Sequence, residues 1–218
     1  MAYSLSRINL FKACPNAYKL RYIDKVKCET SQALEKGSSI HEALEHLDSS
    51  NEYVSQFFES DLGKKYKTVI ENAQKEIKIG IDFKNGKLIP CEFSEECLYR
   101  GVIDVLYENT ILDYKSGQYK EKQDWHQLAY YALWLFLSSD YEEINISYLY
   151  IEHNKENSMT LKRSQVPYIM KNLISDIKPI IDFDKDPKEI YNPDWKCAYC
   201  SVKKFCKKNV DNLLMLNS

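Results

Sequence analysis

A chain of 218 residues, 44% hydrophobic and 28% charged, has enough apolar material for one buried core. No apolar run reaches the roughly 18 residues that a membrane-spanning helix needs, and a net charge of −2 argues against a sequence-independent nucleic-acid coating protein, which needs a basic footprint. The opening MAYSLSRINLFKACP lacks the continuous apolar stretch of a secretory signal. The seven cysteines are an odd number that disfavours a closed disulfide framework, so a cytoplasmic protein with metal-binding thiols is expected.

A helical opening is expected from Ser6 to about Asp24, restarted at Pro15, which is tolerated at the first position of a helix. A second helix follows, capped by Ser38 or Ser39, with Ile40, Ala43, Leu44 and Leu47 at helical spacing and an end in Asp48–Asn51. His41 would be about its third residue. Residues 52–74 read as helix. From Glu76 the period changes to two: Ile77, Ile79 and Ile81 alternate with polar residues, Asn85-Gly86 turns the chain, and Leu88–Phe93 returns. Leu98–Tyr107 and Thr110–Lys115 form a hairpin around Glu108-Asn109. Helix Lys122–Leu137, strand Ile144–Ile151, its partner Ser158–Arg163 and helix Gln165–Ile181 complete the order, before an irregular tail after Asn192. The fold class is α/β (mixed α+β), one domain over residues 1–218, with a central mixed sheet flanked by helices.

The hairpin GVIDVLYENTILDYKSGQ carries the chemistry. Side chains two apart share a strand face, so Ile111, Asp113 and Lys115 point one way and Leu112 and Tyr114 the other. Asp104 lies on the neighbouring strand. Carboxylates and a lysine inside apolar strands are costly unless compensated or metal-bound. Two carboxylates can hold a divalent cation that polarises a phosphate and acidifies its bound water. A lysine beside them can orient or deprotonate the attacking water and stabilise the transition state. Taken alone, D-x-K is short and common and reads more readily as a structural Asp–Lys ion pair, with an unrelated Asp on the next strand. Gln127 and Tyr131, at i and i+4, share one face of the next helix.

Taken together, GSSIHEAL around His41, GVID ending at Asp104, LDYKSG, the Gln127-x-x-x-Tyr131 pair, FKACPNAYKLRYI and Cys197-x-x-Cys200-x(5)-Cys206 resemble, in this order, the RecB-like branch of the PD-(D/E)XK nucleases. The iron–sulfur members are the most similar: AddB-type nuclease domains and the fourth CRISPR-associated protein. The resemblance implies a restriction-endonuclease-like core with Mg²⁺ or Mn²⁺ held by His41, Asp104, Asp113 and the Tyr114 carbonyl. Lys115 would be catalytic, and Gln127 and Tyr131 would position the strand. Cys14, Cys197, Cys200 and Cys206 would hold a [4Fe–4S] cluster that closes the C-terminal tail onto the N-terminus. Zinc binds the same ligand set. Asp113 stands where many members have Glu.

The implied activity is DNA phosphodiester hydrolysis, as an exonuclease on single-stranded ends with 5′→3′ polarity by analogy. An endonuclease on the same site and a catalytically silent DNA-binding subunit are its rivals. Expected partners are DNA and an integrase or helicase, with no membrane. Lys203, Lys204, Lys207 and Lys208, and Lys115, Lys120 and Lys122, read equally as phosphate tracks or solvated surface. Tyr18, Tyr22, Trp125 and Tyr130 could stack on bases, although most of them belong to a core. Cys28, Cys91 and Cys97 read as ordinary thiols.

Overall fold

Six strands of the described residues form one mixed sheet in the computed structural model of the chain, with the first strand in sequence lying between the second and the third and the rest following in chain order. The described residues are 2–28, 32–192 and 195–208, and they divide into two compact units. The first contains residues 1–3 and 32–173, and the second residues 4–31 and 174–218.

The sheet belongs to the first unit. Its strands are β1 (Gln74–Lys84), β2 (Lys87–Cys91), β3 (Tyr99–Tyr107), β4 (Thr110–Lys115), β5 (Glu143–Tyr150) and β6 (Lys155–Lys162). Asn85 and Gly86, with φ of 51° and 77°, make the β1–β2 turn, as Asn-Gly in a two-residue hairpin should. All neighbours are antiparallel except β4 and β5, which run parallel in register Asp113↔Tyr148 and Lys115↔Tyr150. A parallel pair needs a crossover, and helix α6 (His126–Ser138) supplies it.

Helices α3 (Gln32–Glu45), α4 (Glu52–Glu59) and α5 (Asp61–Asn72) cover one face. Ile40, Ala43, Leu44, Val54, Phe57, Tyr66 and Ile70 pack there against Val105, Leu112, Tyr114, Leu149 and Ile151. The strand residues are every second one on β4 and β5, as pleating requires. The intervening Asp113, Lys115, Tyr148 and Tyr150 therefore face the α6 side.

Several element boundaries differ from expectation: the helix expected over 52–74 is divided at Ser60, β6 begins at Lys155, the helix expected over Gln165–Ile181 runs on to Lys185, and α3 and α6 start elsewhere. Helix α3 starts at Gln32, so Ser38 and Ser39 lie inside it rather than capping it, and His41 is in its third turn. Good helix formers precede Gly37. A Cβ at Gly37 would lie 2.9 Å from Ser116 Oγ, directly after the β4 lysine. Helix α6 starts at His126, not Lys122. Residues 116–125 are claimed instead by β5 and β6. Tyr150 Oη donates to Gln123 Oε1 (2.6 Å), Tyr148 Oη to the Asp124 carbonyl (3.1 Å) and Asn157 Nδ2 to the Lys120 carbonyl (2.7 Å). Tertiary hydrogen bonds outweigh local helix propensity there.

The second unit contains α1 (Leu5–Ala13), α2 (Pro15–Tyr18, with Pro15 at its start), a π-helical turn at Lys19–Ile23 and the later part of α7 (Val166–Lys185). Phe11 and Tyr18 meet Phe183 edge-on, Lys12 pairs with Asp176 at 2.6 Å, and Tyr18 Oη donates to Asp184 at 3.1 Å. The tail after Asn192, where described, is short 3-10 turns at Trp195–Tyr199 and Lys203–Phe205. No helix among the described residues is long and apolar enough to cross a membrane.

Candidate active site

The β3–β4 ladder ends at Val105↔Leu112, and the next pair in that register would be Asp104 and Asp113. There the strands part. The Tyr114 amide, which a longer ladder would aim at a β3 carbonyl, donates instead to Asp104 Oδ2 at 2.7 Å. From the opposite layer His41 of α3 reaches the same oxygen at 3.5 Å and meets the Tyr114 ring edge-on at 5.8 Å.

On the other side of Asp113 a polar chain runs to α6. Lys115 Nζ lies 2.6 Å from Asp113 Oδ2, but off the line of a hydrogen bond, so this buried oxygen has no aligned donor. Gln127 spans the pair. Its Nε2 donates to Asp113 Oδ1 at 2.7 Å and its Oε1 accepts from Lys115 Nζ at 3.0 Å. One amide thus presents a donor to the carboxylate and an acceptor to the ammonium. Gln127 Nε2 also lies 3.1 Å from Tyr131 Oη, one turn further along α6. Tyr131 in turn rests on Gly101 of the GVID segment, where a Cβ would lie 2.5 Å from its Cε1.

Strand β3 changes face within this segment. Gly101 and Val105 are four residues apart and would share a face on a flat strand. Yet Gly101 meets Tyr131 of α6, and Val105 packs beneath α3–α5. The exchange coincides with a left-handed residue on the neighbouring strand: Glu76 has φ of 51°. It is flanked by the pairs Lys75↔Val105 and Ile77↔Ile103, which places Glu76 opposite Asp104. A non-glycine residue with positive φ inside a strand is strained, and such strain concentrates at functional sites.

The electrostatics match the geometry. Burial, then the Asp113 charge, pushes the Asp104 carboxyl well above the usual carboxylate range. Partial burial, then Glu45 and Asp113, raises that of Glu76. Burial holds His41 below the usual imidazole value despite the opposing pull of Asp113, which favours the neutral ring that ligates metal. Three carboxylates and one lysine leave the site short of positive charge. A hard divalent cation suits such oxygen donors and a neutral imidazole. Among the described residues no three His, Cys, Asp or Glu side chains close around one point. Lys115 Nζ stands against Asp113 Oδ2, and the Tyr114 amide holds Asp104 Oδ2.

The sequence matches the PD-(D/E)XK nuclease superfamily over residues 2–207. The chain belongs to this superfamily. As a PD-(D/E)XK nuclease it has the mixed sheet and flanking helices described above. Among solved structures, one from Eubacterium rectale called "Putative exonuclease" is similar in fold, with a TM-score of 0.62, 12% identity, and 94% of this chain and 87% of that one covered. The crystal structure of SSO0001 aligns with a TM-score of 0.46 and 16% identity over 94% of this chain and 86% of that one. No curated protein sequence matches this nuclease.

The fold therefore brings His41, Asp104, Asp113, Lys115, Gln127 and Tyr131 into one connected set, with Tyr114 contributing its amide. In sequence Glu76 is only the first residue of an alternating strand, and the register across to Asp104 is what places it at the site. Of the aromatic residues offered for base stacking, Tyr18 and Tyr130 are fully buried, whereas Tyr22 and Trp125 are partly exposed.

The cysteines Cys14, Cys197, Cys200 and Cys206 all fall in the second unit. Burial raises the Cys200 thiol, and Cys14, Cys197 and Cys206 push it further the same way, so each of these three lies within electrostatic reach of Cys200. Asn16 Nδ2 lies 4.0 Å from Cys206 Sγ.

Proposed function

We propose that this chain is a divalent-metal-dependent DNA nuclease that degrades single-stranded DNA from a 5′ end, in CRISPR adaptation, recombination and repair, or phage DNA processing. One observation carries the reading: Asp104, Asp113 and Lys115 meet where β3 and β4 part, with Gln127 bridging carboxylate and ammonium. Asp104, Asp113 and His41 would hold Mg²⁺ or Mn²⁺, with the Tyr114 carbonyl and Glu76 at its margin. The metal supplies Lewis acidity toward the phosphate and its bound water. Lys115, held between Gln127 and Asp113, presents a fixed positive charge to the phosphate oxygens. Gln127 and Tyr131 keep it there. Cys14, Cys197, Cys200 and Cys206 would hold a [4Fe–4S] cluster within the second unit.

Cleavage of 5′-labelled and 3′-labelled linear single-stranded DNA, with Mn²⁺, Mg²⁺ or EDTA, tests the reading beside Lys115→Ala. Metal-dependent loss of label that vanishes in the variant is expected, with the 5′ label lost first. Intact closed circular single-stranded DNA separates an exonuclease from an endonuclease. Unchanged cleavage by Lys115→Ala would refute the site. Brown protein from anaerobic purification, colourless as Cys197→Ser, is expected for the cluster; colourless wild-type protein of normal stability would remove it.

A further inference from the structure

We propose that Tyr148 is a positioning residue for Lys115, acting through the face of its ring. This rests on the nuclease reading for the role of Lys115, but the contact itself stands independently. Parallel pairing of β4 with β5 places Tyr148 beside Asp113 in register, and the lysine two residues on passes over it. Lys115 Nζ lies 4.8 Å from the Tyr148 ring centroid, within the range in which a cation is attracted to an aromatic face.

Three groups therefore meet the ammonium: the Asp113 carboxylate, the Gln127 amide oxygen and this ring. The first two attract it along the polar chain between β4 and α6. The ring adds a soft floor that neither removes its protons nor neutralises its charge.

Tyr148 is itself well fixed. Its side chain is buried, its hydroxyl donates to the Asp124 carbonyl at 3.1 Å, and the Trp125 ring lies 5.5 Å away at a tilt of 33°. Asp124 and Trp125 immediately precede α6, the helix that carries Gln127. The same tyrosine thus supports the lysine through its ring and the start of the bridging helix through its hydroxyl. Burial, then Asp113, raises the phenol well above its ordinary value, so it stays a neutral donor.

The two roles separate by substitution. Tyr148→Phe keeps the ring and loses the hydroxyl. Pentafluorophenylalanine at position 148 keeps the shape and reverses the charge of the face, so it folds as the Phe variant does. Tyr148→Leu removes both. Two readouts are compared: kcat and KM on labelled single-stranded DNA, and the ¹H–¹⁵N signal of the Lys115 ammonium, identified by its loss in Lys115→Ala.

A held ammonium gives such a signal in the wild type and in Tyr148→Phe, but not in the fluorinated or Leu proteins. Misplacing a positioned group costs up to about a hundredfold. In this case kcat should fall at least about tenfold in the fluorinated protein relative to Tyr148→Phe, with KM within about threefold. Equal kcat in those two proteins, or an ammonium signal that survives fluorination, overturns the proposal. Absence of the signal in the wild type also overturns it. A wild type that shows the signal and its loss on fluorination, yet cleaves no DNA, would retain the contact and refute the nuclease reading instead.

Discussion

Gly101→Ala is the sharpest single test of how the site is assembled. The added methyl would lie 2.5 Å from Tyr131 Cε1 and 3.3 Å from its Cζ, about 1 Å inside ordinary carbon contact. Tyr131 is buried and cannot rotate freely into solvent. It must therefore shift by about that distance, or β3 must move away from α6. Overpacking of this kind costs about 1–3 kcal/mol. The same shift stretches the 3.1 Å contact between Tyr131 Oη and Gln127 Nε2, and Gln127 then loses its hold on Asp113 and Lys115. A displacement of about 1 Å at a positioning group costs on the order of a hundredfold in rate. The expected result is a thermal midpoint lowered by several degrees and kcat reduced about tenfold to a hundredfold, measured by circular dichroism and by release of labelled nucleotides. Wild-type stability together with wild-type kcat would refute the link from Gly101 through Tyr131 to the lysine.

Mn²⁺ should raise the thermal midpoint of the wild type, because an ion that binds only the folded site stabilises by about 2.7 kcal/mol at a hundred times its Kd. Asp113→Asn should abolish most of that gain, and an equal gain in both proteins would move the metal elsewhere. Burial and the nearby Cys97 sulfur push the Cys91 thiol up to about 12. The thiolate is thus scarce at pH 8, and iodoacetamide labelling of Cys91, followed by mass spectrometry, should still accelerate between pH 8 and 10; a plateau by pH 9 contradicts this. Asn51→Ala removes a cap whose Oδ1 accepts from the Tyr53 and Val54 amides at 3.1 and 3.4 Å, so urea unfolding should register a loss of about 1 kcal/mol.

Much of this protein was legible from local pattern. The Asn85-Gly86 turn, the hairpin around Glu108-Asn109, the strands and the break at Pro15 follow from two-residue periodicity and turn chemistry, which act over a few neighbours. The grouping of Asp113 with Lys115, and of Gln127 with Tyr131, is fixed by strand and helix periods alone. The start of α6 was not legible, because the hydrogen bonds from Tyr148, Tyr150 and Asn157 act across the fold. Glu76 enters the site only through the register of β1 on β3 and a left-handed backbone that residue type does not announce. Tyr148 reads in sequence as one more apolar residue of a buried strand. The parallel pairing of β4 with β5 sets it under the lysine, and a ring's attraction for a cation depends on where the cation stands, which tertiary structure alone decides.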